Sequence, residues 1–182
     1  MNPRRRVLLL IAALAAAPLA RARSDVPAEV LAELPGARLQ GQGSMRFLGM
    51  AVYDARLWSS ETPVRGDNWS QPLALEIAYS RSLAGRKMAE RTLEEMRRVG
   101  EVAPARAERW LAELTRLFPD VREGDRITGV QRPGRGVRFF YNGSAQGEVR
   151  DADFGRLFFG VWLSPRTSEP GLRESLLGSG RG

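Results

Sequence analysis

Histidine and cysteine are both absent from this 182-residue chain. Without them no Ser-His or Cys-His nucleophile can be assembled, and no zinc site of the usual His or Cys type. Disulfides and a cysteine-linked lipid anchor are excluded as well. Lysine is nearly absent: Lys87 stands alone, beside Arg86 in a polar helical run, and is the single candidate for Schiff-base chemistry. Carboxylates, three tyrosines, Lys87 and arginine remain for acid–base or electrostatic work. The chain has no Gly-rich phosphate loop, metal-ligand spacing or internal repeat, so no cofactor and no metal are expected.

Basic residues outnumber acidic ones 28 to 21, a formal charge of +7. Arg4, Arg5, Arg6 and Arg21 lie in the first 22 residues, and without them the balance falls to 24 against 21. That is an ordinary surface, and nucleic acid is not an expected partner. The same arginines belong to an export signal. Arg4–Arg6 form a basic start, Val7–Leu19 an apolar stretch shorter than the ~20 residues that span a bilayer, and Ala20-Arg21-Ala22 a small-x-small cleavage pattern. The paired arginines before Val7 and Leu8 also fit a twin-arginine signal loosely. The expectation is a signal peptide over 1–22 cleaved after Ala22, one domain over 23–178, a disordered tail over 179–182, a periplasmic location and no stable membrane anchor after cleavage.

Hydrophobic periodicity gives the element order. Residues 28–34 suit a short helical turn and Arg38–Gly43 a short strand broken at Gly43. Met45–Trp58 has apolar residues in both phases, as in a central strand covered on both sides, with Arg46 in phase with Leu48, Met50 and Val52. Pro72–Ser80 is the next strand, on which Glu76 either answers an arginine or faces water. Ser82–Val99 and Ala105–Phe118 read as amphipathic helices. Arg126–Val130, Val137–Tyr141 and Gly147–Val149 follow as strands, with turns at Pro133-Gly134 and Asn142-Gly143. From Asp151 to Gly178 come two helices. Asp151 caps the first, Phe154, Leu157, Phe158, Val161 and Trp162 share one face, and Ser168 caps the second. Strands joined by hairpin turns, with helices gathered in pairs, argue for an α+β fold: an antiparallel sheet with helices on one side.

Four pieces of this pattern carry a resemblance: Val52-Tyr53-Asp54-Ala55-Arg56-Leu57-Trp58; the step from Leu75–Tyr79 to Leu83-Ala84-Gly85; the run from Trp110 through Phe118-Pro119-Asp120 and Gly124-Asp125 to Val130; and Asp151–Gly178 with Phe158-Phe159-Gly160-Val161-Trp162-Leu163. Together they resemble the bacterial, exported branch of the chalcone isomerase-like family, over about Leu39 to Gly178. The resemblance implies an open-faced β-sandwich, a large antiparallel sheet backed by a layer of helices with a cleft between. Relatives of this fold include plant enzymes that close a flavanone ring and fatty-acid-binding proteins. The plant catalytic pattern is not matched: its active-site Tyr falls near Met88 and its Asn near Glu95. Its strand Arg has only Arg46, one residue out of phase, or Arg38.

Two functions fit what the resemblance implies. One is a binding protein holding a fatty acid or similar small amphiphile, with Arg46 or Arg138 on the carboxylate and Tyr53, Tyr79 or Tyr141 hydrogen-bonding it. The other is an isomerase, an intramolecular lyase of unknown substrate, in the same cleft. A partner-binding envelope protein without a small ligand is a third. No catalytic residue is assigned.

Overall fold

The computed structural model describes residues 26–60 and 63–178. The expected signal peptide, its cleavage site and the tail 179–182 lie outside the described residues. Among those described, no helix is long and apolar enough to cross a membrane.

Six strands form one antiparallel sheet in chain order: β1 (Arg38–Phe47), β2 (Met50–Ser59), β3 (Leu73–Tyr79), β4 (Arg126–Arg132), β5 (Gly136–Tyr141) and β6 (Ser144–Val149). Helices α2 (Gly85–Val99), α3 (Pro104–Leu117), α4 (Ala152–Leu163) and α5 (Pro170–Leu177) cover one face. The short α1 (Ala28–Glu33) covers part of the other. The sheet is therefore buried on both faces near β3 and β4, which accounts for strands without polar alternation.

The expected long strand from Met45 to Trp58 is two strands. The chain reverses at Leu48 and Gly49, which take φ of 50° and 81°, and Phe47 pairs with Met50. A two-residue hairpin turn with both central φ positive matches the twist of the flanking strands. Glycine takes that conformation freely; leucine does not.

The expected break at Gly43 does not occur, since β1 runs on to Phe47. Glycines in β1 serve close packing instead. A Cβ on Gly41 would lie 2.3 Å from the carbonyl oxygens of Ser175 and Leu176, so the backbone of α5 rests directly on the strand.

Caps follow the sequence in part. Asp151 Oδ1 accepts from the N–H groups of Asp153 and Phe154, closing the first turn of α4. Ser168 does not cap α5, whose N-cap is Glu169; Thr167 Oγ1 accepts from the Glu169 N–H instead. The N-terminus of α2 is capped from outside, where Gly85 N–H donates to Asp120 Oδ1 at 2.8 Å. An acidic group there also suits the positive end of the helix dipole.

On the α1 face, charged groups are paired. Glu76, 1% exposed, accepts from Trp58 Nε1 at 3.0 Å and from the Arg56 guanidinium. Glu29 accepts from Arg126 Nη2 at 2.7 Å and Thr128 Oγ1 at 3.0 Å. The strand carboxylate at Glu76 thus answers an arginine. It is buried because α1 and the neighbouring strands cover its face.

Candidate functional site: an apolar cavity between sheet and helices

A cavity of about 290 Å³ lies between β2–β4 and the helices α2 and α4. Leu75, Ile77 and Ile127 form its floor; Met88, Val161 and Trp162 form its opposite wall. One glycine, Gly129, lines it, and a second, Gly160, sets the spacing of two helices behind its wall. Gly129 leaves room for Phe158, whose ring would sit 3.1 Å from an added Cβ. Gly160 brings α4 close to α2, where a Cβ would stand 2.6 Å from Val99.

Tyr53 and Tyr79 are the polar groups set into the cavity from the sheet. They sit opposite each other in the β2–β3 register, ring centroids 6.4 Å apart and edge to face. The Tyr53 oxygen accepts from Trp162 Nε1 at 3.0 Å, which leaves its own proton free to donate. The Tyr79 hydroxyl has no hydrogen-bond partner among the described residues. Both rings are half-buried and line the cavity. Desolvation pushes the Tyr53 phenol up to about 12, against a smaller lowering by the Trp162 N–H. Burial raises Tyr79 as well, helped by its neighbour Tyr53. Both are therefore neutral donors at any physiological pH.

Charged residues line the cavity on the α2 and α5 side: Lys87, Arg91, Glu95 and Glu169. Glu95 is 5% exposed. Its Oε1 lies 2.5 Å from Arg91 Nη2, without the alignment of a hydrogen bond, and its Oε2 accepts from Arg98 Nε at 3.2 Å. Lys87 is extended into solvent, 3.4 Å from Glu90.

The five residues expected to contact a ligand do not converge. Tyr53 and Tyr79 line the cavity. Arg46 is exposed at the β1–β2 turn, where its guanidinium donates to the Gly49 carbonyl at 3.2 Å. Arg138 projects from the other face of the sheet, pairing with Glu33 at 2.7 Å and lying 5.3 Å over the Phe140 ring. Tyr141 donates to Asp125 Oδ2 at 2.9 Å at the end of the sheet. Asp125 also holds Asn142 and the Arg122 N–H, and these three hydrogen bonds keep its carboxyl below the usual range.

Arg91 and Glu95 were not singled out as ligand contacts from the sequence. A signal was there: Glu95 lies three residues after Thr92 and seven after Met88, in phase with the stripe that faces the cavity. Met88 and Glu95, the positions where the plant catalytic pattern is missing, both line the cavity.

The relatives agree with this architecture. A fatty-acid binding protein of Arabidopsis thaliana has the same fold, with a TM-score of 0.63 and 16% sequence identity over 80% of this chain and 88% of that one. An uncharacterized protein of Haemophilus influenzae is 30% identical over 127 residues, 70% of this chain and 61% of its own length. The chain thus spans about three-fifths of that relative. Residues 24–178 match the family described as chalcone isomerase-like, and with the sheet, the helical layer and the cavity between them in place, the chain belongs to that family.

Proposed function

We propose that the protein binds a small amphiphile, its apolar body in the cavity and an oxygen-bearing end on Tyr53 and Tyr79. One observation carries the reading: two neutral phenol donors sit side by side on the sheet wall of a largely apolar cavity whose charged residues gather on the α2 and α5 side, and one of the phenols has no partner among the described residues. Ligand sites are typically apolar clefts with a few convergent polar groups, and about 290 Å³ is at the lower end of their size range. A fatty acid is the simplest ligand of this shape, and the Arabidopsis protein's name describes the same use of the fold. We also propose a periplasmic location, on the strength of the Arg4–Ala22 export pattern.

The test begins with the purified chain from Arg23, extracted with solvent and examined by mass spectrometry. A stoichiometric co-purifying amphiphile is the expected result. A protein that emerges empty and then fails to bind fatty acids of any chain length overturns the reading.

The intramolecular lyase is the second reading, and the tyrosine pair is what favours it. Two preorganised donors suit a developing enolate oxygen. Against it, the one carboxylate buried beside the cavity, Glu95, is engaged by Arg91 and Arg98 rather than free as a base. Turnover of a chalcone by the purified protein would establish it.

A further inference from the structure

Large hydrophobic side chains are exposed at four described positions, and three of them share one place. Phe47, Leu48 and Met50 stand 58%, 84% and 52% exposed around the β1–β2 turn. Leu48 does so at φ 50°, a conformation that asparagine or glycine adopts far more readily. The turn itself therefore does not call for leucine, and the side chain it presents to solvent is apolar.

Within the tip itself the charge is of one sign. Between Ser44 and Tyr53 the single charged residue is Arg46. Arg81 is exposed at the base of the same hairpin, placed there by the Ser80 N–H donating to the Val52 carbonyl at 3.0 Å. Neither arginine has an ion-pair partner among the described residues. The nearest carboxylate along the hairpin, Asp54, accepts a hydrogen bond from Ser44 Oγ. Two residues down each strand from the tip, Met45 and Val52 line the cavity.

We propose that this hairpin tip docks the protein on an anionic lipid bilayer. Phe47, Leu48 and Met50 enter the boundary between headgroups and acyl chains, and Arg46 and Arg81 meet the lipid phosphates. A tip of three side chains falls well short of the ~20–30 residues per partner of a stable protein interface. Apolar groups flanked by unpaired cations are what an anionic membrane surface attracts. Binding is peripheral and reversible, since so few apolar groups give only marginal membrane affinity. Docking of this kind brings the cavity wall at Met45 and Val52 within two residues of the lipid.

The proposal is separable from the ligand reading, because vesicle binding is read with no ligand added. The described elements lie within residues 28–177, and the chain from Arg23 carries all of them. It is mixed with phosphatidylcholine vesicles with or without 30% phosphatidylglycerol and floated on a density gradient. The expected result is flotation with the anionic vesicles, reduced by salt. The Phe47→Ser/Leu48→Asn/Met50→Ser variant should lose about tenfold in partitioning at unchanged circular dichroism. Leu48→Asn alone keeps the turn and should lose about threefold, which covers a triple variant that fails to fold. Arg46→Gln/Arg81→Gln should weaken binding to the anionic vesicles only. A parent protein that does not float, or tip variants that float as the parent does, overturns the proposal. So does a dimer of the parent in sedimentation velocity that the tip variants abolish, which would make the tip a contact between two copies of this chain.

Discussion

Trp162 Nε1 donates to the Tyr53 hydroxyl at 3.0 Å, tying α4 to β2 across one side of the cavity. The bond orients a phenol that is also a wall of the candidate site, so stability and binding meet in one contact. Tyr53→Phe leaves the Trp162 N–H without its acceptor and should destabilise the free protein by about 1–2 kcal/mol in urea unfolding. Trp162 emission should shift as its hydrogen bond is lost.

Alkali should unfold the protein through the same pair. Tyr53 is raised from 10 to about 12 and Tyr79 is raised too, so the folded state keeps protons that the unfolded state releases. The stability these phenols contribute is complete below pH 10 and is lost as pH rises toward their folded values. The slope is at most about 1.4 kcal/mol per pH unit for each tyrosine. Urea midpoints at pH 9, 10.5 and 11.5 should fall more steeply for the parent than for Tyr53→Phe/Tyr79→Phe. Parallel curves would show that neither phenol is desolvated.

Glu76 is one of two buried carboxylates on the α1 face, with Trp58 Nε1 and Arg56 as its hydrogen-bond partners and Arg126 Nε at 3.7 Å. Glu76→Ala strands the Trp58 donor and leaves Arg56 uncompensated. Arg56 is about one-third exposed and can turn to water, which moderates the loss to about 2–3 kcal/mol. The m-value should stay unchanged, as for a native-state effect.

Gly41→Ala should be costly for its size. The added methyl meets backbone carbonyls of Ser175 and Leu176 rather than a flexible side chain, so α5 must lift from β1. The expected loss is about 1–3 kcal/mol, with hydrogen exchange accelerated in α5 and β1 before other elements.

How far the sequence discloses these features depends on the residue. The Asp151 cap and the Phe154–Trp162 face were legible because local chemistry and 3.6-residue spacing agree there. The β1–β2 turn was hidden, since Leu48 contradicts its own backbone preference and the apolar run continues through it. Arg138 shows why face cannot be read from alternation alone. Its strand has two covered faces, and only the position of α1 decides that Arg138 meets Glu33 rather than the cavity. Tyr53 and Tyr79 fall together because β2 and β3 pair in the register that sets them opposite, and their spacing along the chain carries no trace of that. Glu95 was obscured by the charged residues around it on α2, though its phase with Met88 and Thr92 was available.

Calorimetric titration of dodecanoate into the chain from Arg23, beside Met88→Trp and Tyr79→Phe, decides whether the cavity holds an amphiphile on its tyrosine pair. Met88→Trp fills the cavity from α2, and Tyr79→Phe removes the unpartnered donor. Saturable one-to-one binding to the parent is expected, with loss of binding in Met88→Trp and about tenfold weaker binding in Tyr79→Phe. No saturable binding to the parent, or equal binding to parent and Met88→Trp, would contradict the proposed binding.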